Sequence, residues 1–153
     1  MTINWVKVSR FAAPEEIAGY LLWQVTHQWQ RQVEATLADL KITHLQFVLL
    51  AGIGWLSREG DLPTQVQLAE FCQIDRMQIS QVVRKLETKE LVKRDVHSTD
   101  TRAKVLRLTR AGEATLNKAL PLIEQLDATF FSPCYPSVLL AELKKLYFSV
   151  SLP

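Results

Sequence analysis

Two long segments of this chain, one near each end, carry apolar residues at helical spacing. The first, which neither Gly nor Pro interrupts from Tyr20 to Lys41, has them at Leu22, Val25, Trp29, Val33, Leu37 and Leu40. The second has them at Leu116, Leu120, Ile123, Leu126 and Phe130, and a last helix is predicted over 137–149. Such long apolar stripes are more than a monomer's surface normally leaves uncovered. We therefore expect these helices to interlock with a second copy of the chain.

A shorter, nearly all-apolar helix is predicted between the two long segments. Thr43 and Gln46 have the spacing of a capping box, and the residues that follow, to about Ser57, are apolar on almost every face. This pattern is typical of a buried central helix. Gly52 and Gly54 inside it lower the helix propensity, and we expect them to allow a close backbone approach.

Two further helices follow, joined by a three-residue connection. Thr64 and Gln67 repeat the capping pattern and begin a helix that ends near Cys72, and Asp75 caps the next helix. The apolar face of that second helix consists of Ile79, Val82, Val83 and Leu86. Two short helices joined in this way form a helix-turn-helix.

A charged hairpin comes directly after the helix-turn-helix. Leu91–Val96 and Lys104–Leu108 have the alternation of strands, and the link between them, residues 97–103, has turn chemistry. Thr109 then caps the second long helix. The predicted fold is therefore mainly α with a small β-hairpin wing: a winged helix-turn-helix with a helical dimerisation region.

The positive charge of the chain is concentrated in this central part. Residues 76–110 hold ten of the 18 Lys and Arg but only four of the 16 acidic residues, so this stretch is formally +6 and the rest −4. A basic segment on an acidic body is the expected footprint of a nucleic-acid binder. A charged face that is merely solvated is the alternative.

Length and composition exclude several classes of protein. The 153 residues favour one unit with one or two subdomains. The longest charge-free apolar run, Phe47–Leu56, is too short to span a bilayer, which takes about 20 residues. Two cysteines, Cys72 and Cys134, make no disulfide framework, so we expect a cytoplasmic protein without membrane contact. With no glycine-rich phosphate loop, metal-ligand spacing or triad in the sequence, no enzyme, cofactor or metal is expected.

Four stretches carry a family resemblance through their order and spacing. They are Ile42–Phe47, Gln67–Glu70, Leu86–Arg94, and Asp100–Ala103 followed by Leu108–Gly112. Together with the flanking long helices they resemble the MarR family (multiple antibiotic resistance regulators), bacterial winged-helix transcription factors. The resemblance implies a homodimer that places two recognition helices in successive major grooves, about 34–36 Å apart, on an inverted-repeat operator.

Two positions depart from the family's pattern. Glycine is usual where Glu90 stands at the end of the recognition helix, and Asp-Pro is usual where His97-Ser98 stands before the wing tip. A non-glycine residue in a left-handed cap costs on the order of 1 kcal/mol. We therefore expect the recognition helix to end differently here, with an effect on the wing angle.

The candidates for DNA contact in the recognition helix lie off its apolar face. They are Arg76, Met77, Gln78, Ser80, Gln81, Arg84 and Lys85. Glutamine can pair bidentately with adenine and methionine can touch a thymine methyl, whereas Arg84 and Lys85 suit phosphates, which position without specifying. The alternative for Gln78 is that it serves only as a capping residue.

In the wing the candidates are Asp100, Thr101, Arg102 and Lys104. The resemblance implies that Arg102 enters the minor groove and that Asp100, two residues earlier, steadies it. A narrow, A·T-rich minor groove attracts arginine. The alternative is a surface ion pair of little consequence.

A small aromatic ligand is the other partner that the resemblance implies. Helices that can line its pocket carry Trp23, His27, Trp29, His44 and Trp55, although aromatic residues at helical spacing are more often plain core. Redox sensing through Cys72 or Cys134 is a weaker alternative, as some relatives sense oxidants with cysteine.

The lead interpretation is a ligand-released DNA-binding repressor, with residues 1–42 and 111–153 for dimerisation and 43–110 for DNA binding. The alternative is a winged-helix module for protein–protein contact or dimerisation without sequence-specific DNA binding.

Overall fold

Seven α-helices and one β-hairpin make up the part of the chain, residues 2–96 and 104–149, that this computed structural model describes. The helices are α1 (Trp5–Val8), α2 (Ala18–Leu37), α3 (His44–Leu56), α4 (Gln65–Cys72), α5 (Arg76–Thr88), α6 (Arg110–Phe130) and α7 (Pro136–Ser149). The strands β1 (Val92–Val96) and β2 (Lys104–Leu108) lie between α5 and α6, and 3₁₀ turns at Pro14–Glu16 and Ala38–Leu40 flank α2. The predicted fold class, mainly α with a small hairpin, is confirmed.

Helix α3 is the centre of the core, as its apolar sequence predicts. Leu49, Leu50 and Ile53 are fully buried, and α3 packs against α2, α4, α5, α6 and β2. Both bonds of its capping box are present: the Gln46 N–H donates to Thr43 Oγ1 at 3.2 Å, and the Thr43 N–H donates to Gln46 Oε1 at 3.2 Å. Since these bonds satisfy two backbone donors that the helix leaves unpaired, they fix where α3 begins.

Gly52 is where α3 and α4 touch. A Cβ atom at this position would lie 2.8 Å from Leu68 Cδ1 and 3.2 Å from Cys72 Sγ, both on α4. The close approach at this glycine is thus made by side chains of α4 and not by its backbone, and the first helix of the helix-turn-helix lies directly against the central helix.

The wing is anchored at its base on both sides. Strands β1 and β2 pair antiparallel, with Val92 opposite Leu108 and Val96 opposite Lys104. The Leu106 N–H donates to the carbonyl of Pro63 at 2.8 Å, which joins β2 to the segment before α4. The direction of the hairpin is therefore set by the helix-turn-helix that it follows.

The first long helix is shorter than the predicted span of Tyr20 to Lys41. The α-helix ends at Leu37, a 3₁₀ turn continues to Leu40, and Lys41 takes the left-handed conformation with φ 54°. This left-handed residue turns the chain from α2 into α3.

Both ends of the chain expose apolar surface. Helices α1 and α7 bury no residue, and the first half of α2 is exposed along its apolar stripe. The large apolar residues more than half exposed in these helices are Trp5, Val6, Val8, Leu22, Trp23, Val138, Leu140, Leu146, Tyr147 and Phe148. A single folded chain therefore leaves its terminal helices without an apolar partner.

Across the described residues no single helix has both the length and the apolar composition to cross a bilayer. One bent pair, Ala18–Leu40 with His44–Leu56, passes on these two criteria together, with an angle of 77° between its helices.

Candidate nucleic-acid interface

Helix α5 is amphipathic and is fixed to the core by one face. Asp75 begins it by accepting backbone N–H bonds from Met77 at 2.8 Å and from Gln78 at 3.3 Å. Its apolar face matches the prediction: Ile79, Val83 and Leu86 are buried and Val82 is half-buried. This anchoring holds the opposite face of the helix outward.

The outward face of α5 carries the residues that the sequence singled out. Ser80 is half-buried, and six of the seven candidates are exposed: Arg76, Met77, Gln78, Gln81, Arg84 and Lys85. Among the described residues, the side chain of Gln78 does not return a bond to the Asp75 N–H, as Gln46 and Gln67 do in their own capping boxes. Gln78 therefore has no capping role that would turn its amide away from a groove.

Two left-handed residues shape the helix-turn-helix and its exit. Gln73, with φ 53°, ends α4, and Glu90, with φ 57°, follows α5. After α5 the Leu91 N–H donates to the carbonyl of Leu86 at 2.9 Å and the Glu90 N–H to that of Glu87 at 2.8 Å, the two bonds of a Schellman motif. The expectation that the recognition helix ends differently at Glu90 is therefore wrong: the left-handed turn is kept with a glutamate in it.

An ion pair that the sequence reading missed links α5 to the wing. Arg94 on β1 lies 2.6 Å from Glu87 near the end of α5, and both side chains are about three-quarters buried. The pair is seven residues apart across a turn, a spacing that no helix or strand period singles out. Arg94 thus joins the base of the wing to α5. Because its guanidinium is paired with Glu87, it is not counted among the cations that could bind nucleic acid.

Only the base of the wing lies within the described residues. Asp100, Thr101 and Arg102 fall outside them. Lys104 begins β2 opposite Val96 and is exposed, and Arg107 forms an exposed ion pair with Asp95 at 3.3 Å across the hairpin.

A cavity of about 1060 Å³ opens beside the helix-turn-helix. Its walls come from α3, α4, β2 and α6, and they are mostly apolar, with Phe47, Phe71, Leu108 and Leu116 among them. The polar groups on the wall are Ser57, Arg58, Arg107, Glu113 and Asn117. Apolar walls with a few polar groups are typical of a site for a small organic molecule.

The five aromatic and histidine candidates for a ligand pocket are not brought together in the single chain. Of them only Trp55 lines the cavity, where Arg58 stacks on its ring at 4.3 Å. Trp23 and His27 stack on each other along α2, with ring centroids 4.3 Å apart. In the single chain the five residues are thus divided among different places, and a pocket shared by them between the dimer helices and the DNA-binding lobes stays a prediction.

Trp29 and His44 form instead a joint between three helices. The Trp29 Nε1–H of α2 donates to Asp127 of α6 at 2.7 Å, and its ring meets the His44 ring of α3 edge-on at 5.0 Å. Burial lowers the pKa of the His44 imidazole, whereas the carboxylates of Glu34 and Asp127 act to raise it.

The two cysteines differ in exposure. Cys134 is exposed, whereas Cys72 is half-buried at the cavity wall, where burial raises the pKa of its thiol. A raised pKa disfavours the reactive thiolate. No group of three or more His, Cys, Asp or Glu residues in the described ranges is arranged to hold a metal ion.

Comparison with known proteins places this architecture in a family. Residues 38–126 match the model of the ArnR1-like winged-helix domain. The chain is 41% identical over 124 residues, 81% of its own length and 84% of the relative's, to the uncharacterized HTH-type transcriptional regulator YdcH of Bacillus subtilis.

Two solved structures have the same fold over most of the chain. The MepR–DNA complex from S. aureus matches with a TM-score of 0.77 and 25% identity over 90% of this chain and 99% of that one. The reduced form of MarR from E. coli matches with a TM-score of 0.71 and 25% identity over 85% of this chain and 96% of that one. The resemblance inferred from the four stretches is thereby confirmed: the chain belongs to the MarR family of winged helix-turn-helix, DNA-binding transcriptional regulators.

Proposed function

We propose that this regulator is a homodimeric repressor that binds an inverted-repeat operator with α5 in the major groove of each half-site. The observation that carries the proposal is the two-sided character of α5: one face is anchored in the core and the other presents glutamines and cations to solvent. The MepR structure, which was solved as a complex with DNA, has the same fold over nearly its whole length and supports DNA as the partner.

Within α5 the two glutamines would read bases. Gln78 and Gln81 are exposed amides three residues apart, so they lie on neighbouring positions of one helix face. Each can pair bidentately with adenine, and Met77, which is 71% exposed, can contact a thymine methyl. Arg76, Arg84 and Lys85 would bind phosphates and supply affinity without sequence preference.

In the wing Arg102 would enter the minor groove, with Asp100 orienting it and with Thr101 and Lys104 near the backbone. The support for this is the base of the hairpin, which is tied both to α5, through Arg94 and Glu87, and to the segment before α4. A hairpin braced in this way has the base of its strands fixed relative to the recognition helix.

The division of labour follows from the exposed ends. Residues 1–42 and 111–153 would form the dimer, since they contain the terminal apolar surface that a single chain leaves uncovered, and residues 43–110 would bind DNA. As a regulator that acts on DNA, the protein would work in the cytoplasm.

The cavity beside the helix-turn-helix would hold a small aromatic ligand that releases the DNA. Trp55 and Phe71 offer ring faces, and Arg58 and Arg107 offer cations to a polar substituent. Release requires that the ligand bind more tightly to the geometry that does not fit the operator.

Selection of bound DNA from a random pool, with the full-length protein, tests the proposal. We expect an inverted repeat whose half-sites lie about 10 base pairs apart, because a two-fold dimer spans one helical turn. Binding should weaken steeply with salt and keep a large preference for the selected sequence. A protein that enriches no sequence, while remaining a folded dimer, would instead be the winged-helix interaction module.

Single substitutions then assign the contacts. Arg102→Ala should weaken operator binding by at least about tenfold, as expected for loss of a specific charged contact. Lys118→Ala, which removes the same charge from an exposed position of α6 outside the proposed DNA-binding residues 43–110, is the matched control. Equal affinity of the two variants in a gel-shift titration would remove Arg102 from the interface.

A further inference from the structure

Lys89, just beyond the carboxyl end of α5, is an exposed residue whose ammonium group bonds to oxygens of the protein. The Lys89 Nζ donates to the carbonyl of Lys41 at 2.6 Å and to the Oε1 of Gln46 at 2.8 Å. These partners are 48 and 43 residues away along the chain. Lys89 therefore joins parts of the fold that the sequence keeps far apart.

Its two acceptors are themselves fixed points. Lys41 is the left-handed residue at which the 3₁₀ turn after α2 ends, so its carbonyl lies at the negative end of that helical segment, which attracts a cation. Gln46 is 4% exposed, and its Oε1 also accepts the Thr43 N–H of the capping box that begins α3. One ammonium group thus bonds the end of α2's helical run and the start of α3.

Charge geometry sets Lys89 apart from its neighbours on the helix. Lys85, one turn earlier and likewise exposed, lies on the outward face of α5 that is proposed to contact DNA phosphates. Lys89 lies beyond the last helical residue, Thr88, and its donors are directed at protein oxygens. Lys85 and Lys89, four positions apart, are therefore assigned different partners.

We propose that Lys89 is a positioning residue that locks the carboxyl end of the recognition helix to the α2–α3 junction, and that it is not a phosphate contact. This rests on the proposed function of α5 as the DNA-reading helix. Since α2 belongs to the dimerisation region, the bond carries the orientation of the dimer helices to α5. Without this bond each α5 would stay attached to the core by its apolar face. Its orientation relative to the recognition helix of the other protomer would be less well fixed.

Salt dependence separates a positioning lysine from a phosphate-binding one. Lys89→Met, which keeps most of the aliphatic stem, should lower operator affinity by about tenfold at every salt concentration, since bonds from a charged donor contribute on this scale. It should leave the slope of log affinity against log salt unchanged and accept operators with altered half-site spacing. Lys89→Arg, which keeps a cationic donor, should recover most of the affinity.

Lys85→Met is the matched control. It removes the same charge from a lysine one turn away and should reduce the salt slope by about one, without changing the preferred spacing. If Lys89→Met reduces the slope as Lys85→Met does, or leaves affinity and spacing preference as in the wild type, the proposal is overturned.

Backbone hydrogen exchange of the free, full-length protein tests the lock without DNA. Lys89→Met should accelerate exchange both in the segment 86–91 and in the segment 38–46, whereas Lys85→Met should accelerate neither. Unchanged exchange in Lys89→Met would overturn the lock even if DNA binding were affected. If the wild-type protein binds no specific sequence, the proposed function fails, and the exchange measurement still decides whether the lock exists.

Discussion

Gly112 has the least space for a side chain among the five glycines. It lies in the first turn of α6, where a Cβ atom would come within 2.0 Å of the carbonyl oxygen of Leu91. That carbonyl also accepts the Thr109 N–H at 3.0 Å. The backbone of α6 thus touches the backbone that leads from α5 into the wing, and only glycine leaves the space for it.

Gly112→Ala should therefore destabilise the protein by about 3 kcal/mol, because the contact is with backbone and cannot be relieved by a side-chain rotation. Gly19→Ala is the control, since a Cβ at Gly19 meets nothing within 4 Å and alanine favours a helix by up to about 1 kcal/mol. Urea unfolding of both variants measures the difference. Similar midpoints for the two would contradict the close approach.

Glu90 is the opposite case, a residue that is strained where glycine would not be. With φ 57° the Cβ atom of Glu90 is crowded against the backbone, as in any non-glycine residue in the left-handed conformation. Glu90→Gly should raise the free energy of unfolding by up to about 1 kcal/mol, whereas Glu90→Ala, which keeps a Cβ, should not. Both variants lose the carboxylate, so thermal or urea unfolding of the two separates relief of backbone strain from the effect of that loss. Equal stability of Glu90→Gly and Glu90→Ala would argue against strain.

At the scale of elements, helix starts are the features that local sequence determines best. The boxes at Thr43 and Thr64 and the caps at Asp75 and Thr109 form as predicted, except that Gln78 does not complete a box at Asp75. Each of these caps depends on residues two or three positions apart. The strands are also predicted almost to the residue. Alternation and turn chemistry lie within a few neighbouring positions of the chain, so no distant partner is needed to see them.

Joints between elements are what the sequence does not reveal. Trp29 meets Asp127 across 98 residues, and Lys89 reaches Gln46 across 43. The periodicity of α2 likewise says which residues share a face but not which helix that face meets. The cavity is formed by four elements and has no signature in any one of them.

The joint around His44 makes one element-scale prediction about pH. Burial lowers the pKa of the His44 imidazole from its ordinary value of 6.5, so this group binds a proton more readily in the unfolded chain than in the folded one. The contribution of neutral His44 to the free energy of unfolding is therefore present in full above pH 6.5. It is lost as the pH falls from 6.5 through the lowered pKa.

His44→Gln should therefore lose less stability than the wild type between about pH 7.5 and about pH 5.5, measured by urea unfolding. His27→Gln, on the exposed side of α2, is the control and should behave as the wild type does. The explanation fails if both histidine variants lose as much unfolding free energy as the wild type over this pH range.

For the whole molecule, the exposed terminal helices predict that assembly and stability are inseparable. Leu146 on α7 is 59% exposed in the single chain and belongs to the surface that we assign to the dimer. Leu146→Glu should give monomers at concentrations where the wild type is dimeric, with an unfolding midpoint that no longer rises with protein concentration.

Lys144→Ala changes the net charge by the same amount on the same helix and serves as the control. Sedimentation equilibrium measures both variants. If Leu146→Glu sediments as the wild type does, α7 lies outside the dimer.

The position of the cavity has a consequence for the sensitivity of the regulator. Arg107 and Leu108 of the wing strand β2 form part of its wall, so an occupant would touch the hairpin that we propose contacts DNA. Equilibrium linkage between two sites is reciprocal: if a ligand lowers operator affinity by some factor, operator DNA lowers ligand affinity by the same factor. The free protein would then respond to lower ligand concentrations than the protein already on its operator. A threshold measured without DNA would underestimate the concentration at which the gene is released.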